Sequence, residues 1–526
     1  MVARWWRSAV GYQVYIRSFD DTRGDGIGDL AGVRKRLPYL ADLGVDIVWI
    51  TPFYPSPQAD HGYDVADYCA VDPTYGSLQD IDDLLTEAHR LGLRVVLDLV
   101  PNHTSDQHEW FLDARKGRDA EHRDFYVWRD PAPDGGPPNN WVSHFGGPAW
   151  TLDEASGQYY MHLFLPEQPD LNWANEEVRA AFDRILAFWF ERGIDGFRID
   201  VAHSLVEDPH LRDNPLIADE PGPDATPQEV FAAYEHRYDL DQPGVLEIFE
   251  RWNRLASQHD AMLLGEVYLL EPEKLTRYVE SGEALDTTFC FPALKVGWDP
   301  DAIRDTLQRS VAAGGDGISW PLSSHDDPRA ATRFGGGERG ARRALAYLAL
   351  LCALPGSPFI YQGDELGLEN GDLDEYADPI TVRNDGATGR DGSRTPMTWK
   401  PVAGYGFTTG TPWLDFGRNR HEGSTMAVQD RDPASHLNRV RRLLRTRRSL
   451  PELTDGTPVE WLDLHANVIA LRRGRVVVAC NVGEHDVDLP LPVAGELVYG
   501  SNDGAWLTDT TLRLPADAAV YVAAAT

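Results

Sequence analysis

Strand-like and helix-like segments alternate along most of this 526-residue chain. The pattern of Glu176–Arg192, with apolar residues recurring on one face, is typical of the helical segments. Short apolar runs predict strands at Tyr12–Phe19, Asp46–Ile50, Arg94–Val100, Gly196–Asp200, Ala261–Glu266, Asp286–Cys290, Ile318–Leu322 and Pro358–Tyr361. Eight strand–helix units predict a closed (β/α)₈ barrel, and an open doubly wound sheet is the alternative.

Three stretches are too long for ordinary connections between a strand and a helix. Residues 104–173 are rich in Pro, Gly, Asn and aromatic residues and predict a small domain inserted after the third strand. Residues 207–244 and 364–425 form further insertions, after the fourth and eighth strands. From about Leu453, short alternating runs predict a β-sandwich. We therefore expect a catalytic barrel at 1–103 and 174–450, an inserted domain at 104–173 and a terminal β-sandwich domain at 451–526.

The composition limits which partners the protein can have. The net charge is −34 and the isoelectric point is near 4.7, which argues against nucleic acid or an anionic membrane as a partner. No stretch approaches the roughly 20 apolar residues of a membrane span, and the N-terminus lacks a secretory pattern. The four cysteines have no metal-ligand or disulfide spacing, so each is expected to pack as a small apolar residue. These features predict a cytoplasmic protein.

Charged residues and histidines recur where four of the predicted strands end. Because parallel strands of a barrel end at one rim, we expect these side chains to lie close together. They are Asp98, Asn102 and His103 after the third strand, Arg198 and Asp200 on the fourth, Glu266 on the fifth, and His325 and Asp326 after the seventh. These four motifs, in this order, resemble glycoside hydrolase family thirteen, the α-amylase family. The resemblance covers nearly the whole chain.

The resemblance implies cleavage of a glycosidic bond with retention of configuration. Such a reaction uses one ionised carboxylate as nucleophile and one protonated carboxyl as acid and base. By motif position, Asp200 is the nucleophile, Glu266 is the acid/base and Asp326 is the third catalytic carboxylate. Arg198, two residues before Asp200 on the same strand face, is expected to keep Asp200 ionised. No cofactor is needed for this chemistry.

The resemblance also implies which residues hold the sugar. His103 and His325 are expected to hydrogen-bond the sugar ring, together with contacts from Phe164, Gln168, Arg198 and His203. Asp98 and Asn102, by contrast, are expected to support the end of the third strand without contacting substrate.

A second set of residues predicts an exo-acting α-glucosidase. Asp60 and Tyr63, after the second strand, resemble residues that grip the 4-hydroxyl of a terminal glucose and stack on its ring. Arg390 resembles the arginine that pairs with that aspartate, and Arg394 is a competing candidate. An Asp60–Arg390 clamp would close the pocket beyond one sugar, whereas endo-acting amylases need an open cleft. We expect release of terminal glucose from disaccharides and short oligosaccharides.

Linkage preference is expected to be mixed. Gln168 and Val201 resemble residues of oligo-1,6-glucosidases. His203 and Ser324 depart from the asparagines that many of those enzymes carry at the same places. We therefore expect α-1,4-linked as well as α-1,6-linked substrates, with transglucosylation as a possible side reaction.

The first barrel loop resembles the family's calcium loop, in which alternating oxygens surround a hard cation. The candidate ligands are Asp21, Asp25, Asp29 and the backbone of Ile27, and Arg23 stands where an asparagine ligand is usual. The sequence leaves two alternatives open: a structural Ca²⁺, or a guanidinium that takes its place.

Two other functions remain as alternatives at this point. One is conversion of sucrose or trehalose by isomerisation or glucosyl transfer on the same fold. The other is a non-catalytic relative, such as the ectodomain of amino-acid transporter heavy chains. The full set of three carboxylates and the lack of a membrane anchor argue against the second.

Overall fold

A computed structural model describes residues 4–219, 221–222, 225–384, 386, 389–491, 494–508 and 511–524. The outer limits predicted for the barrel and the terminal domain, residues 1 and 526, lie outside this set.

The described residues form one closed parallel barrel and three antiparallel sheets. The strands, in chain order, are β1 (Gly11–Val14), β2 (Ile47–Ile50), β3 (Arg94–Leu99), β4 (Trp128–Arg129), β5 (Trp150–Asp153), β6 (Gln158–Met161), β7 (Gly196–Ile199), β8 (Met262–Gly265), β9 (Thr287–Phe289), β10 (Ile318–Pro321), β11 (Ser357–Tyr361), β12 (Glu460–Leu462), β13 (Val468–Arg473), β14 (Val476–Asn481), β15 (Val487–Pro490), β16 (Gly495–Gly500), β17 (Trp506–Leu507), β18 (Thr511–Leu514) and β19 (Ala518–Ala524).

Helices separate the barrel strands and surround them. In chain order they are α1 (Leu30–Leu43), α2 (Leu78–Arg90), α3 (Glu109–Ala114), α4 (Glu176–Arg192), α5 (Pro227–Ala232), α6 (Val245–Ala256), α7 (Pro272–Val279), α8 (Phe291–Lys295), α9 (Pro300–Gly314), α10 (Ala330–Arg333), α11 (Gly337–Ala353), α12 (Pro379–Arg383), α13 (Met426–Gln429) and α14 (His436–Ser449).

The eight predicted strands close into a barrel in the order β1-β2-β3-β7-β8-β9-β10-β11. β1 pairs in parallel with both β2 and β11, so the sheet has no free edge. The predicted fold class is confirmed, and the open doubly wound sheet is excluded. The β3–β7 register places Asp98 opposite Arg198, which brings two of the rim motifs side by side.

The first strand is shorter than the sequence predicts. The apolar run Tyr12–Phe19 was expected to be extended throughout, but β1 ends at Val14 and a 3-10 helix covers Ile16–Ser18. The backbone N–H of Tyr15 donates to Gln362 and that of Ile16 donates to Thr51. Because side chains accept these hydrogen bonds, the two N–H groups do not need carbonyl acceptors from a neighbouring strand. The chain can therefore turn away from the barrel after Val14.

Helix boundaries follow local capping signals. α4 begins after Asn175, whose side chain accepts a hydrogen bond from the N–H of Glu177. It ends at Gly193, where φ is 99°, a backbone conformation that favours glycine. The apolar face of α4, including Phe182 and Trp189, is buried against the barrel. Local signals therefore fix both the extent and the orientation of this helix.

Residues 104–173 contain the small sheet β4-β6-β5, and the chain after residue 459 forms two packed antiparallel sheets. The five-stranded sheet β12-β13-β14-β19-β16 packs one face against α11, where the Tyr521 hydroxyl donates to the carbonyl of Ala349. Its other face shares an apolar core with the sheet β15-β18-β17, through residues such as Ala479 and Leu512. The boundaries proposed from the sequence, at 103/104, 173/174 and 450/451, remain predictions.

No helix among the described residues is long and apolar enough to cross a membrane. All four cysteines are free: three are buried as expected, and Cys69 is only half-buried.

Candidate active site

The sequence-selected residues converge on a cavity of about 820 Å³ at the carboxyl end of the barrel strands. Its walls combine the barrel rim with residues of the inserted segment 104–173 and of the insertions that follow β7 and β11. The lining includes Asp60, Tyr63, His103, Phe164, Gln168, Asp200, His203, Glu266, Asp326 and Arg390. Of the residues predicted to contact sugar, only Arg198 and His325 line a second, adjoining cavity instead.

Arg198 gathers three carboxyl groups at the base of the cavity. Its Nη1 donates to Asp98 Oδ1 at 2.8 Å and to Asp200 Oδ1 at 2.6 Å. Its Nη2 lies 2.7 Å from Glu266 Oε2. The side chain of Arg198 is 2% exposed, so water screens these interactions little. One guanidinium therefore fixes Asp200 and Glu266 beside each other.

Burial and the neighbouring carboxyl groups raise the pKa of Asp200. Burial is the largest cause, Arg198 opposes it, and the neighbouring Glu266 and Asp98 carboxyls add to it. The contact between Arg198 and Asp200 is as expected from the sequence, but one cation cannot neutralise three adjacent carboxylates. Because like charges in a dry site cannot all ionise, the group holds a proton.

Asp326 lies across the cavity and is strongly ionised. Burial opposes ionisation, but the Arg394 and Arg390 guanidinium groups hold the pKa of Asp326 well below the usual range. Asp326 Oδ1 is 2.7 Å from Arg394 Nη2, and Oδ2 is 3.1 Å from His325 Nε2. His325 is buried and bonded to Gln13 as well, and burial lowers its pKa to about 3. His325 is therefore a neutral ring that orients Asp326.

His103 and Gln168 lie together in the wall of the cavity. His103 Nε2 lies 3.0 Å from Gln168 Nε2 and 3.1 Å from the carbonyl of Tyr63. Burial lowers the pKa of His103 to about 3, so the ring is neutral. Phe164 packs against His103 at a ring distance of 5.2 Å. Asn102 donates to Asp170 beneath them, which matches the supporting position expected from the sequence.

The predicted Asp60–Arg390 pair is present, with Arg390 Nη2 2.6 Å from Asp60 Oδ1. Arg394 does not compete for Asp60; it binds Asp326 instead. Asp378 joins the two arginines, at 2.9 Å from each. Sequence reasoning missed Asp378, although the Asp-Pro step that starts α12 is a recognisable local signal.

Tyr63 is fixed both through its hydroxyl group and through its ring. Its hydroxyl lies 3.1 Å from Asp98 Oδ2 and 2.9 Å from His325 Nε2. Its ring stacks on His325 with an interplanar angle of 11°. Tyr63 thus ties the supporting Asp98 to the histidine that orients Asp326.

His203 lines the far side of the cavity, away from Asp60. Its Nδ1 lies 3.3 Å from the backbone nitrogen of Tyr268, which donates to it. Burial lowers its pKa to about 4. The exposed side chains of Tyr268 and Leu270 form the opposite wall of this half of the cavity.

The candidate calcium loop is filled by protein hydrogen bonds. Asp21 accepts from three backbone N–H groups and from Thr408, and Asp29 accepts from Thr22 and from the backbone of Gly32. Asp25 accepts the N–H of Ile27, and Arg23 Nε lies 3.6 Å from Asp25 and 3.7 Å from Asp29. Within the described ranges, no three His, Cys, Asp or Glu side chains are arranged to hold a metal. In this arrangement the loop does not fit a calcium ion.

The sequence matches the family described as "Alpha amylase, catalytic domain" over residues 13–456, and a domain of unknown function over 459–521. It is 40% identical to a probable alpha-glucosidase of Rhizobium meliloti, over 98% of this chain and 96% of that protein. It is 36% identical to an oligo-1,6-glucosidase of Heyndrickxia coagulans, over 99% of both chains.

Among solved structures, the alpha-glucosyl transfer enzyme XgtA superposes with a TM-score of 0.92 at 40% identity, over 99% of this chain and 100% of that chain. The family match spans most of the chain. Residues of all four motifs line two adjoining cavities at one rim of the barrel: His103, Arg198, Asp200, Glu266, His325 and Asp326. The chain therefore belongs to the α-amylase family of glycoside hydrolases.

Proposed function

We propose that the protein is a retaining, exo-acting α-glucosidase that releases terminal glucose from α-1,4- and α-1,6-linked disaccharides and short oligosaccharides. The observation that carries the proposal is the pair of carboxyls on Arg198, facing a cavity that an Asp60–Arg390 ion pair closes at one end. The curated relatives named alpha-glucosidase and oligo-1,6-glucosidase support the same reading.

The mechanism follows from the contacts at Arg198. Asp200 attacks the anomeric carbon while Glu266 gives its proton to the leaving oxygen, and a glycosyl ester forms on Asp200. Glu266 then takes a proton from water, which attacks the same carbon and restores Asp200. Inverting enzymes hold their carboxyls about 6.5–9.5 Å apart to admit a water between them. The guanidinium shared by Asp200 and Glu266 favours the closer, retaining arrangement.

The closed end of the cavity supports exo action. Arg390 is bound by Asp60 and Asp378 and lies over the Phe145 ring at 5.7 Å. Nearby, Arg383 of α12 pairs with Glu167 of the inserted segment at 2.8 Å. The Arg390–Phe145 contact and the Arg383–Glu167 pair join the last barrel insertion to the 104–173 segment. We propose that this barrier stops a sugar chain from extending beyond the terminal unit. Asp326, with Arg394 behind it, is proposed to bind the ring hydroxyls of that unit.

The leaving half of the cavity combines apolar side chains such as Phe231, Leu240 and Leu270 with charged ones such as Glu235, Arg237, Glu271 and Lys274. We propose that it accepts more than one linkage, which the relatives named alpha-glucosidase and oligo-1,6-glucosidase support. It could also admit an acceptor sugar in place of water. The likeness to an alpha-glucosyl transfer enzyme supports glucosyl transfer as the second candidate activity. Conversion of sucrose or trehalose is the form of that activity which we propose to test.

Product analysis on maltose, isomaltose, sucrose and trehalose tests the proposal. We expect glucose as the first product from maltose and isomaltose, with transfer products growing at high substrate concentration. Isomerised sucrose as the main product would favour the second candidate. Mixed maltooligosaccharides from starch, with rapid loss of iodine staining, would contradict the exo-acting pocket.

We also propose that catalysis needs no cofactor and that Arg23 takes the place of a structural cation in the first barrel loop. A cytoplasmic location is part of the same proposal. The free cysteines support it, since disulfides are rare in reducing compartments.

A further inference from the structure

Val201, the residue after Asp200, has a backbone conformation that valine rarely adopts. Its φ is 35°, in the left-handed region where a β-branched side chain is strained. Strained residues persist only where surrounding contacts hold them, and they cluster at functional sites.

The contacts around Val201 show what holds it. The N–H of Val201 donates to Glu266 Oε2 at 3.0 Å, and the next N–H, of Ala202, donates to the Glu266 backbone carbonyl at 2.9 Å. The turn is closed by the N–H of Ser204, which donates to the carbonyl of Val201 at 2.9 Å. The chain that leaves Asp200 therefore wraps around Glu266 and aims one amide at its carboxyl group.

The two oxygens of Glu266 are consequently different. Oε2 faces two hydrogen-bond donors, the Val201 N–H at 3.0 Å and the charged Arg198 Nη2 at 2.7 Å. The Val201 N–H and the Arg198 guanidinium thus both contact the same oxygen, Oε2. A proton on Oε2 would face these donors, whereas a proton on Oε1 leaves both contacts intact.

We propose that Val201 is a positioning residue, whose left-handed backbone aims its N–H at Glu266 Oε2 and so assigns the catalytic proton to Oε1. The inference rests on the proposed acid/base role of Glu266. In the first step the Oε1–H bond breaks as the proton moves to the glycosidic oxygen. The bond from that oxygen to the anomeric carbon breaks, the leaving sugar departs as an alcohol, and the bond from Asp200 to the anomeric carbon forms. The negative charge left on Glu266 is then stabilised at Oε2 by the groups already there.

The Val201 amide is not the only group that acts on Glu266. Arg198 and Asp200 face it from β7 and its end, Asp98 from β3, and Asp326 from across the cavity. A test must therefore remove the Val201 N–H alone and leave these charges in place.

Replacing the 201 amide by an ester, through incorporation of the α-hydroxy analogue of valine, removes this N–H and leaves every side chain unchanged. Loss of this donor disfavours the ionised carboxylate of Glu266 relative to its protonated form. We expect the basic limb of the kcat/KM profile on maltose to move up by about one pH unit, as for loss of one hydrogen bond to a charged group. Turnover of α-glucosyl fluoride, whose leaving group needs no proton, should stay within about threefold.

The matched control is the ester at Ala202, which deletes a hydrogen bond to the same residue but to its backbone carbonyl. We expect the basic limb of the Ala202 ester to stay where it is in wild type. A second control, Val201→Gly, keeps the N–H and removes the side chain, and we expect its basic limb to stay in place as well. An equal shift in either control, or no shift in the 201 ester, would overturn the inference.

If an ester variant does not fold, neutron diffraction of the unmodified protein gives an independent answer. The crystal is kept at a pH below the basic limb of the kcat/KM profile, where Glu266 carries its proton. We expect a deuteron on Glu266 Oε1, and one on Oε2 would refute the assignment. These outcomes are distinct from failure of the proposed function, which would appear as a wild-type protein inactive on maltose, isomaltose and α-glucosyl fluoride.

Discussion

Asp60→Ala tests the clamp at the closed end of the cavity. In the structure Arg390 contacts Asp60 at 2.6 Å, Asp378 at 2.9 Å and Asp326 at 3.3 Å. Two acidic partners remain after the substitution, so Arg390 should stay in the pocket and the protein should fold. What is lost is the acceptor for the terminal sugar hydroxyl.

The magnitude follows from the kind of bond removed. A hydrogen bond to a charged group contributes about 1.5–3 kcal/mol. If it is formed in the transition state, kcat/KM falls by about 10- to 150-fold. Because the clamp binds the terminal glucose and not the leaving group, the same factor should apply to maltose, isomaltose and α-glucosyl fluoride.

The assay is kcat/KM on these three substrates, with Asp83→Ala as the matched control. Asp83 also forms an ion pair with an arginine, at 2.6 Å from Arg34, but this pair is exposed on the surface. We expect kcat/KM of the control within twofold of wild type. A loss in Asp60→Ala that is confined to one linkage, or smaller than about threefold on all substrates, would refute the clamp.

Three further predictions follow from the same contacts. Glu266→Gln should slow maltose far more than α-glucosyl fluoride, because only maltose needs a proton on its leaving group; equal losses would remove Glu266 from the acid role. Chelation by EDTA should leave the Tm of wild type unchanged. The Tm of Arg23→Asn, by contrast, should rise when Ca²⁺ is added. A wild-type Tm that falls in EDTA would contradict the proposed role of Arg23. Arg394 and Arg390 lower the pKa of Asp378 against the effect of burial. Its contribution to stability should therefore be complete above about pH 4 and decline below it, so the Tm gap between wild type and Asp378→Asn should shrink in acid. A gap that is constant from pH 3 to 7 would contradict it.

The sequence predicts the barrel well because its signals are local and repeated. Each strand is a short buried apolar run, and each helix such as α4 carries its own caps and apolar face. The end of β1 could not be predicted, because the acceptors that terminate it, Gln362 and Thr51, come from other barrel elements.

The candidate site divides in the same way. Asp200, Glu266 and Asp326 stand in motifs at strand ends, so their meeting at one rim follows from the barrel. Asp378 belongs to a long insertion without regular periodicity, and only the folded chain brings it to Arg390 and Arg394. The strain at Val201 is likewise invisible in the sequence, since it depends on the distant carboxyl of Glu266.

The central claim is that Asp200 forms a covalent bond to glucose. It is tested most directly by reacting the protein with a fluorinated α-glucosyl fluoride that glycosylates the nucleophile quickly and is released slowly, followed by peptide mass spectrometry. We expect the label on the peptide that contains Asp200, and no label in Asp200→Ala. A label on another carboxylate, or β-glucose as the first product of maltose in a protein that takes no label, would contradict the account.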